Sequence, residues 1–146
     1  MRILSMILFF LLLIASASLA QGEMVTIAKK KVNMRSGPGT GTTVFWELGM
    51  GYPLKVLQTK GEWLKVQDFE NDVGWVHRSL IDKKHHVIVL KKRVNIRSGP
   101  GTGYAVVGQA DYGVIFQILR SKQDWSNITD NKNVNGWIKN DLLWGR

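Results

Sequence analysis

Apolar and polar positions follow two rhythms along this chain. Residues 3–14, ILSMILFFLLLI, are apolar everywhere except Ser5. Beyond residue 20 no apolar stripe of helical period extends for ten residues, and short alternating runs take its place, bounded by glycine, proline, asparagine and aspartate. Residues 25–35, 52–59, 63–69 and 73–77 are rich in β-branched and aromatic residues and read as strands. Lys60-Gly61-Glu62 and Glu70-Asn71-Asp72 read as the turns between them. Five or so short strands in about 60 residues predict a small, partly open β-barrel.

The pattern then recurs. Shifting the sequence by 62 residues lays residues 32–81 on residues 94–143 without a gap, with 19 identities in 50 positions. NMRSGPGTG at residues 33–41 returns as NIRSGPGTG at residues 95–103, and even the approach is repeated, Lys29-Lys30-Lys31 facing Lys91-Lys92-Arg93. Ungapped self-similarity of this length predicts duplication of a whole folding unit. The boundary falls at residues 82–86, too short for a flexible tether, so the units should abut. The expected organisation is a leader at residues 1–20, a first domain at 21–82 and a second at 83–146.

The leader reading rests on Arg2, the apolar run, and Ser18-Leu19-Ala20 ahead of Gln21. That is the form of a secretory signal cleaved after Ala20, and retention as an anchor is the competing reading. Without cysteine, no disulfide holds the small domains together, so each depends on its own core and its neighbour. The formal charge is +9, and without Arg2 19 basic residues face 11 acidic ones, leaving +8. Such a surface suits an anionic membrane surface or polymer; for an exported protein, nucleic acid is not expected.

The repeated glycine string is not a phosphate loop. Strand-like TTVFWELG and YAVVGQAD follow it where a helix would be needed, and no lysine followed by serine or threonine closes it. Turn mechanics fit better: Pro38 suits the first central position of a type II β-turn, and Gly39 the positive φ that comes next. Catalysis is not expected either. There is no cysteine nucleophile, and no histidine recurs between copies; His77 faces Lys139, while adjacent His85 and His86 point to opposite sides of an extended chain. The shared acids reduce to Asp68 and Asp130, so neither unit holds a carboxylate pair. No metal or cofactor is implied. Asn127-Ile128-Thr129 is a glycosylation sequon only in a eukaryotic secretory pathway.

Strand parity separates core from surface. In WLKV and WSNI it buries Val66 and Ile128 and turns Trp63 and Trp125 outward; in GWVH and GWIK it buries Val76 and Ile138 and turns Trp75 and Trp137 outward. Two readings of these tryptophans stand side by side, a satellite of the core under the glycine-rich loop and an aromatic groove for a ligand. Tyr104 beside that face, where the first copy has Thr42, and His77 against Lys139 suggest that the copies differ in ligand. Arg35 and Arg97 hydrogen-bond loop carbonyls on one reading and a ligand carboxylate on the other. The basic triplets are expected to be solvated strand ends.

On the NxRSGPGT opening, the tryptophan after a charged turn, and the closing GWV or GWI before a polar residue and leucine, each unit resembles a bacterial Src homology 3 (SH3) domain of the wall-associated kind. The resemblance covers nearly all of residues 24–146 in two copies, and the whole plan is similar to that of small exported proteins of Gram-negative bacteria. It implies two five-stranded SH3-like barrels, a periplasmic location, and a non-catalytic role in binding peptidoglycan or an envelope peptide. It also implies an aromatic groove as the binding face, formed here by Trp63, Trp75, His77, Arg35, Trp125, Trp137, Tyr104 and Arg97.

Overall fold

The computed structural model describes residues 18–146, and these are β throughout apart from two single 3-10 turns. The expected signal segment lies outside the described residues as far as position 17. The first unit holds β1 (Met24–Ile27), β2 (Val32–Arg35), β3 (Val44–Leu48), β4 (Pro53–Lys60), β5 (Trp63–Gln67), β6 (Val73–His77), a 3-10 turn at Arg78–Leu80 and β7 (Ile81–Asp82). The second holds β8 (His86–Val89), β9 (Arg93–Arg97), β10 (Val106–Asp111), β11 (Ile115–Lys122), β12 (Trp125–Thr129), β13 (Asn135–Lys139), a 3-10 turn at Asn140–Leu142 and β14 (Leu143–Trp144). Strand order is β3-β2-β6-β5-β4-β1-β7 in one sheet and β10-β9-β13-β12-β11-β8-β14 in the other. The second order is the first one repeated, and elements β4 to β7 recur 62 residues later to the residue.

Five expected strands become seven pieces for a physical reason. The alternation predicts one strand over residues 25–35, but the chain changes partners at Lys29-Lys30-Lys31: β1 pairs with β4 and β7, β2 with β3 and β6. The lysines sit exposed at that corner, between the end of β1 and the start of β2, with Lys31 paired to Glu47 at 3.5 Å. After the 3-10 turn, β7 returns to β1 and closes the unit through Thr26↔Asp82 and Ile27↔Ile81.

Alternation along the strands builds the cores. Val25, Ile27, Val32, Met34, Leu54, Val56, Leu64, Val66 and Val76 are buried together in the first unit. Val87, Val89, Val94, Ile96, Phe116, Ile128 and Ile138 are buried together in the second. Bulges interrupt pairing at Leu57 in β4 and at its counterpart Leu119 in β11, and at Phe45 and Val107 in β3 and β10. Sequences this different thus keep the same irregularities, which re-aim side chains at equivalent places.

The glycines of GW serve close approach. A Cβ on Gly74 would stand 2.6 Å from Met34 Cγ and 3.0 Å from the Arg35 carbonyl; on Gly136 it would stand 2.5 Å from Ile96 Cγ2 and 2.8 Å from the Arg97 carbonyl. The type II turn expected at Pro38-Gly39 is not formed, for Gly39 keeps a negative-φ backbone. Its N–H donates instead to the Gly37 carbonyl at 2.9 Å, a three-residue turn centred on Pro38, and the Thr42 N–H then reaches Gly39. Proline's fixed φ suits such a turn. Here glycine provides space: a Cβ on Gly99 would fall 2.3 Å from the Tyr104 ring.

Residues 83–85 join the units and are pinned to β1, with Thr26 Oγ1 donating to the Lys84 carbonyl at 2.6 Å and Lys83 paired with Glu23 at 3.0 Å. Across the seam the Phe69 and Tyr112 rings lie 5.4 Å apart and the Tyr112 hydroxyl donates to Glu70 at 2.8 Å. His86 fits against Gly51 and Gly145 against Pro53, both where a Cβ would crowd the neighbouring unit.

Candidate ligand-binding clefts

The outer faces of β2, β5 and β6 carry the candidate residues of the first unit. Cross-strand pairing sets Trp63 opposite His77, Lys65 opposite Trp75, and Arg35 opposite Trp75. The Trp63 and His77 rings meet edge to face at 5.2 Å. A cleft of about 290 Å³ opens there, lined by Lys31, Asn33, Arg35, Thr40, Trp63 and His77 among others. The second unit opens elsewhere on the same face. Its cleft, about 420 Å³, lies between the glycine-rich loop and β11, with Ser98, Pro100, Tyr104, Arg120, Lys122 and Trp137 in its walls. Trp75, Trp125 and Arg97 line neither cleft.

Trp63, Trp75 and Trp125 are half-buried, whereas Trp137 is only 7% exposed. Partial exposure was expected of all four. Trp137 departs from it beneath Arg120, whose guanidinium carbon stands 5.3 Å from the centre of the indole. Tyr104 is open, at 51%.

Arg35 Nη1 donates to the Thr40 and Thr42 carbonyls at 2.8 and 3.0 Å, and Arg97 Nη1 to those of Thr102 and Tyr104 at 3.1 and 3.0 Å. These repeated contacts brace the glycine-rich loops. His77 caps the 3-10 turn, its Nδ1 accepting from the Ser79 N–H at 3.2 Å and lying 2.8 Å from the Ser79 hydroxyl. Lys139 at the matching place caps nothing.

The two shared acids are also placed. Asp68 is buried, and its Oδ1 accepts from the Glu70 and Asp72 N–H groups. Asp130 accepts from Lys132, Asn133 and Val134, and the N–H of Val134 above all holds its carboxyl below the usual carboxylate range. Both are turn organisers. Burial, followed by the charge of Asp68, pushes the Tyr52 phenol well above its ordinary range. Asn127 is buried, its amide bound to Asn135 and to the Gly136 carbonyl, so the sequon is folded into the strand. Among the described residues no group of three or more histidines, cysteines or carboxylates is gathered to hold a metal. The clefts offer aromatic walls and cationic donors, a chemistry of stacking and ion pairing.

Sequence reasoning missed Arg120 and Lys122. Comparison of the copies position by position singles out Tyr104, and the same comparison along β11 finds Arg120 against Gln58.

A tandem of two small β-barrels, each closed by its own first and last strands, is the class these features define. The chain belongs to the family described as Bacterial SH3 domain, whose model matches it twice, at residues 28–83 and 90–145. It is 30% identical over 140 residues to YrvJ of Bacillus subtilis, a protein named for N-acetylmuramoyl-L-alanine amidase activity; the match takes in 88% of this chain and 27% of that one. NlpC2 of Trichomonas vaginalis is 14% identical with a TM-score of 0.39, over 87% of this chain and 49% of that structure. An NlpC/P60 family protein of Bacillus cereus is 12% identical with a TM-score of 0.38, over 84% and 56%. The chain therefore spans about a quarter of the amidase-named relative and about half of those structures.

Proposed function

We propose that this chain is a non-catalytic binding or scaffold protein of the cell envelope that recognises peptidoglycan or a wall-associated peptide through its aromatic clefts. The carrying observation is that each unit opens a cleft walled by a tryptophan and basic side chains beside its bracing glycine-rich loop. Membership of the bacterial SH3 family and the amidase-named relative support the reading. Export with cleavage after Ala20 belongs to the same proposal, and mass spectrometry of the natural protein should find Gln21 first. Trp63 and His77 in the first cleft and Trp137 and Tyr104 in the second are the ligand-facing set, with Arg35 and Arg97 shaping the loops.

Purified sacculi should retain the protein at about 0.3 M salt, where exposed charge pairs are largely screened. Tyr104→Ala and Trp63→Ala should weaken retention several-fold with little change in melting temperature. Release at about 0.15 M salt, with the alanine variants retained like the wild type, would favour the second reading. That reading is electrostatic binding to an anionic membrane surface or polymer, for which the solvated corners at Lys29–Lys31 and Lys91–Lys92 speak.

A further inference from the structure

The two clefts differ in one chemically specific respect. Arg120 lies over the face of Trp137, and among the described residues no carboxylate or carbonyl meets its guanidinium. Arg35 and Arg97, by contrast, are each tied through Nη1 to two loop carbonyls. A guanidinium attracted to an indole face keeps its N–H donors available, and that planar fork can pair with a carboxylate through two parallel hydrogen bonds. Lys122 stands in the same wall, and no acidic side chain lines the cleft. Tyr104 and Pro100 supply an apolar wall. In the first unit Gln58 replaces Arg120 and Thr42 replaces Tyr104, while Trp75 and Lys60 are kept. The scaffold is thus common to both, and the unpaired arginine over the tryptophan, with Tyr104 as its aromatic wall, belongs to the second.

We propose that the second unit's cleft is a carboxylate site: Arg120, lying over Trp137 and assisted by Lys122, binds a free carboxylate of a peptide whose remaining part lies against Tyr104, and the first unit lacks this Arg120-based site. The proposal rests on the envelope-binding reading of the same cleft and names the group it recognises.

The test measures retention on purified sacculi at about 0.3 M salt, native or with their carboxyl groups converted to methylamides. The proteins are the full chain, Arg120→Gln, Arg120→Lys and Lys92→Gln, the last removing a charge from a solvated corner. The wild type should bind native sacculi about tenfold more tightly than amidated ones, the scale of a charge-assisted pair. Arg120→Gln should lose about tenfold on native sacculi and nothing further on amidated ones. Arg120→Lys should recover only part, and Lys92→Gln should match the wild type. Equal wild-type binding to both sacculi overturns the carboxylate site alone, and needs no variant to be stable. So does native-sacculus retention of Arg120→Gln equal to the wild type, or an equal loss in Lys92→Gln. No retention of the wild type on native sacculi overturns the envelope reading and this site with it.

Discussion

Gly136 has no room for a side chain, because Ile96 and the Arg97 carbonyl occupy the place where a Cβ would go. The methyl is fixed on the Cβ of a buried, β-branched side chain, and the carbonyl belongs to the strand, so neither yields easily. Gly136→Ala should therefore cost about 2 kcal/mol by urea denaturation, as overpacking does, and Gly74→Ala should cost less, since the Met34 side chain in its path bends easily. Asp130 gives a prediction in pH. Its folded carboxyl titrates below the usual range, so it contributes stability above the unfolded pKa and loses it as pH falls through the folded value. Melting temperature measured from pH 7 down to pH 3 should fall less steeply in Asp130→Asn than in the wild type. The tryptophan parity was legible in sequence, because Val66, Val76, Ile128 and Ile138 are all buried as the alternation requires. The exposure of Trp137 was not, since the side chain over it comes from another strand. Asn71 and Asn133 occupy equivalent places in the repeat. The left-handed residues are instead Asn71 and Asn131, so similar letters fold into different loops.

At the scale of elements, period-two alternation revealed β4, β5 and β6 and their copies, and the 62-residue shift placed the second set. The corner between β1 and β2 was hidden because three lysines look alike in a solvated strand and in a solvated bend. Turn chemistry misled at Pro38, where the string carries no positive φ and crowding explains only Gly37 and Gly99. Elsewhere left-handed backbone does matter. The β4–β5 hairpin turns on Gly61 at φ 58°, and the β11–β12 hairpin on Gln123 at φ 50°. A side chain with a Cβ is strained there by about 1 kcal/mol. Gln123→Gly should then stabilise the protein by roughly 0.5 to 1 kcal/mol, seen as a higher melting temperature, while Gly61→Gln should lower it by a similar amount.

For the whole molecule, the sequence indicated abutting units because the connection is short, and the contacts of Phe69, Glu70 and Tyr112 give the abutment its chemistry. No pairing rule within one repeat foretells them, because Phe69 and Tyr112 face Asn131 and Met50 in the alignment and so break the symmetry. A double-mutant cycle with Tyr112→Phe and Glu70→Gln should return a coupling of up to about 1 kcal/mol, as suits an exposed hydrogen bond to a carboxylate. Tyr112→Ala, which also removes the ring contact, should split one calorimetric transition into two. The closure of each barrel by its own ends has a bearing on synthesis. Thr26 waits for Asp82, and Ile88 for Trp144. A nascent chain that has not yet released Asp82 carries β1 with one edge unpaired, and contacts so distant in sequence form slowly. During translation each unit therefore passes through an open-edged state until its last strand emerges, the interval in which a chaperone would engage it and in which aggregation competes with folding.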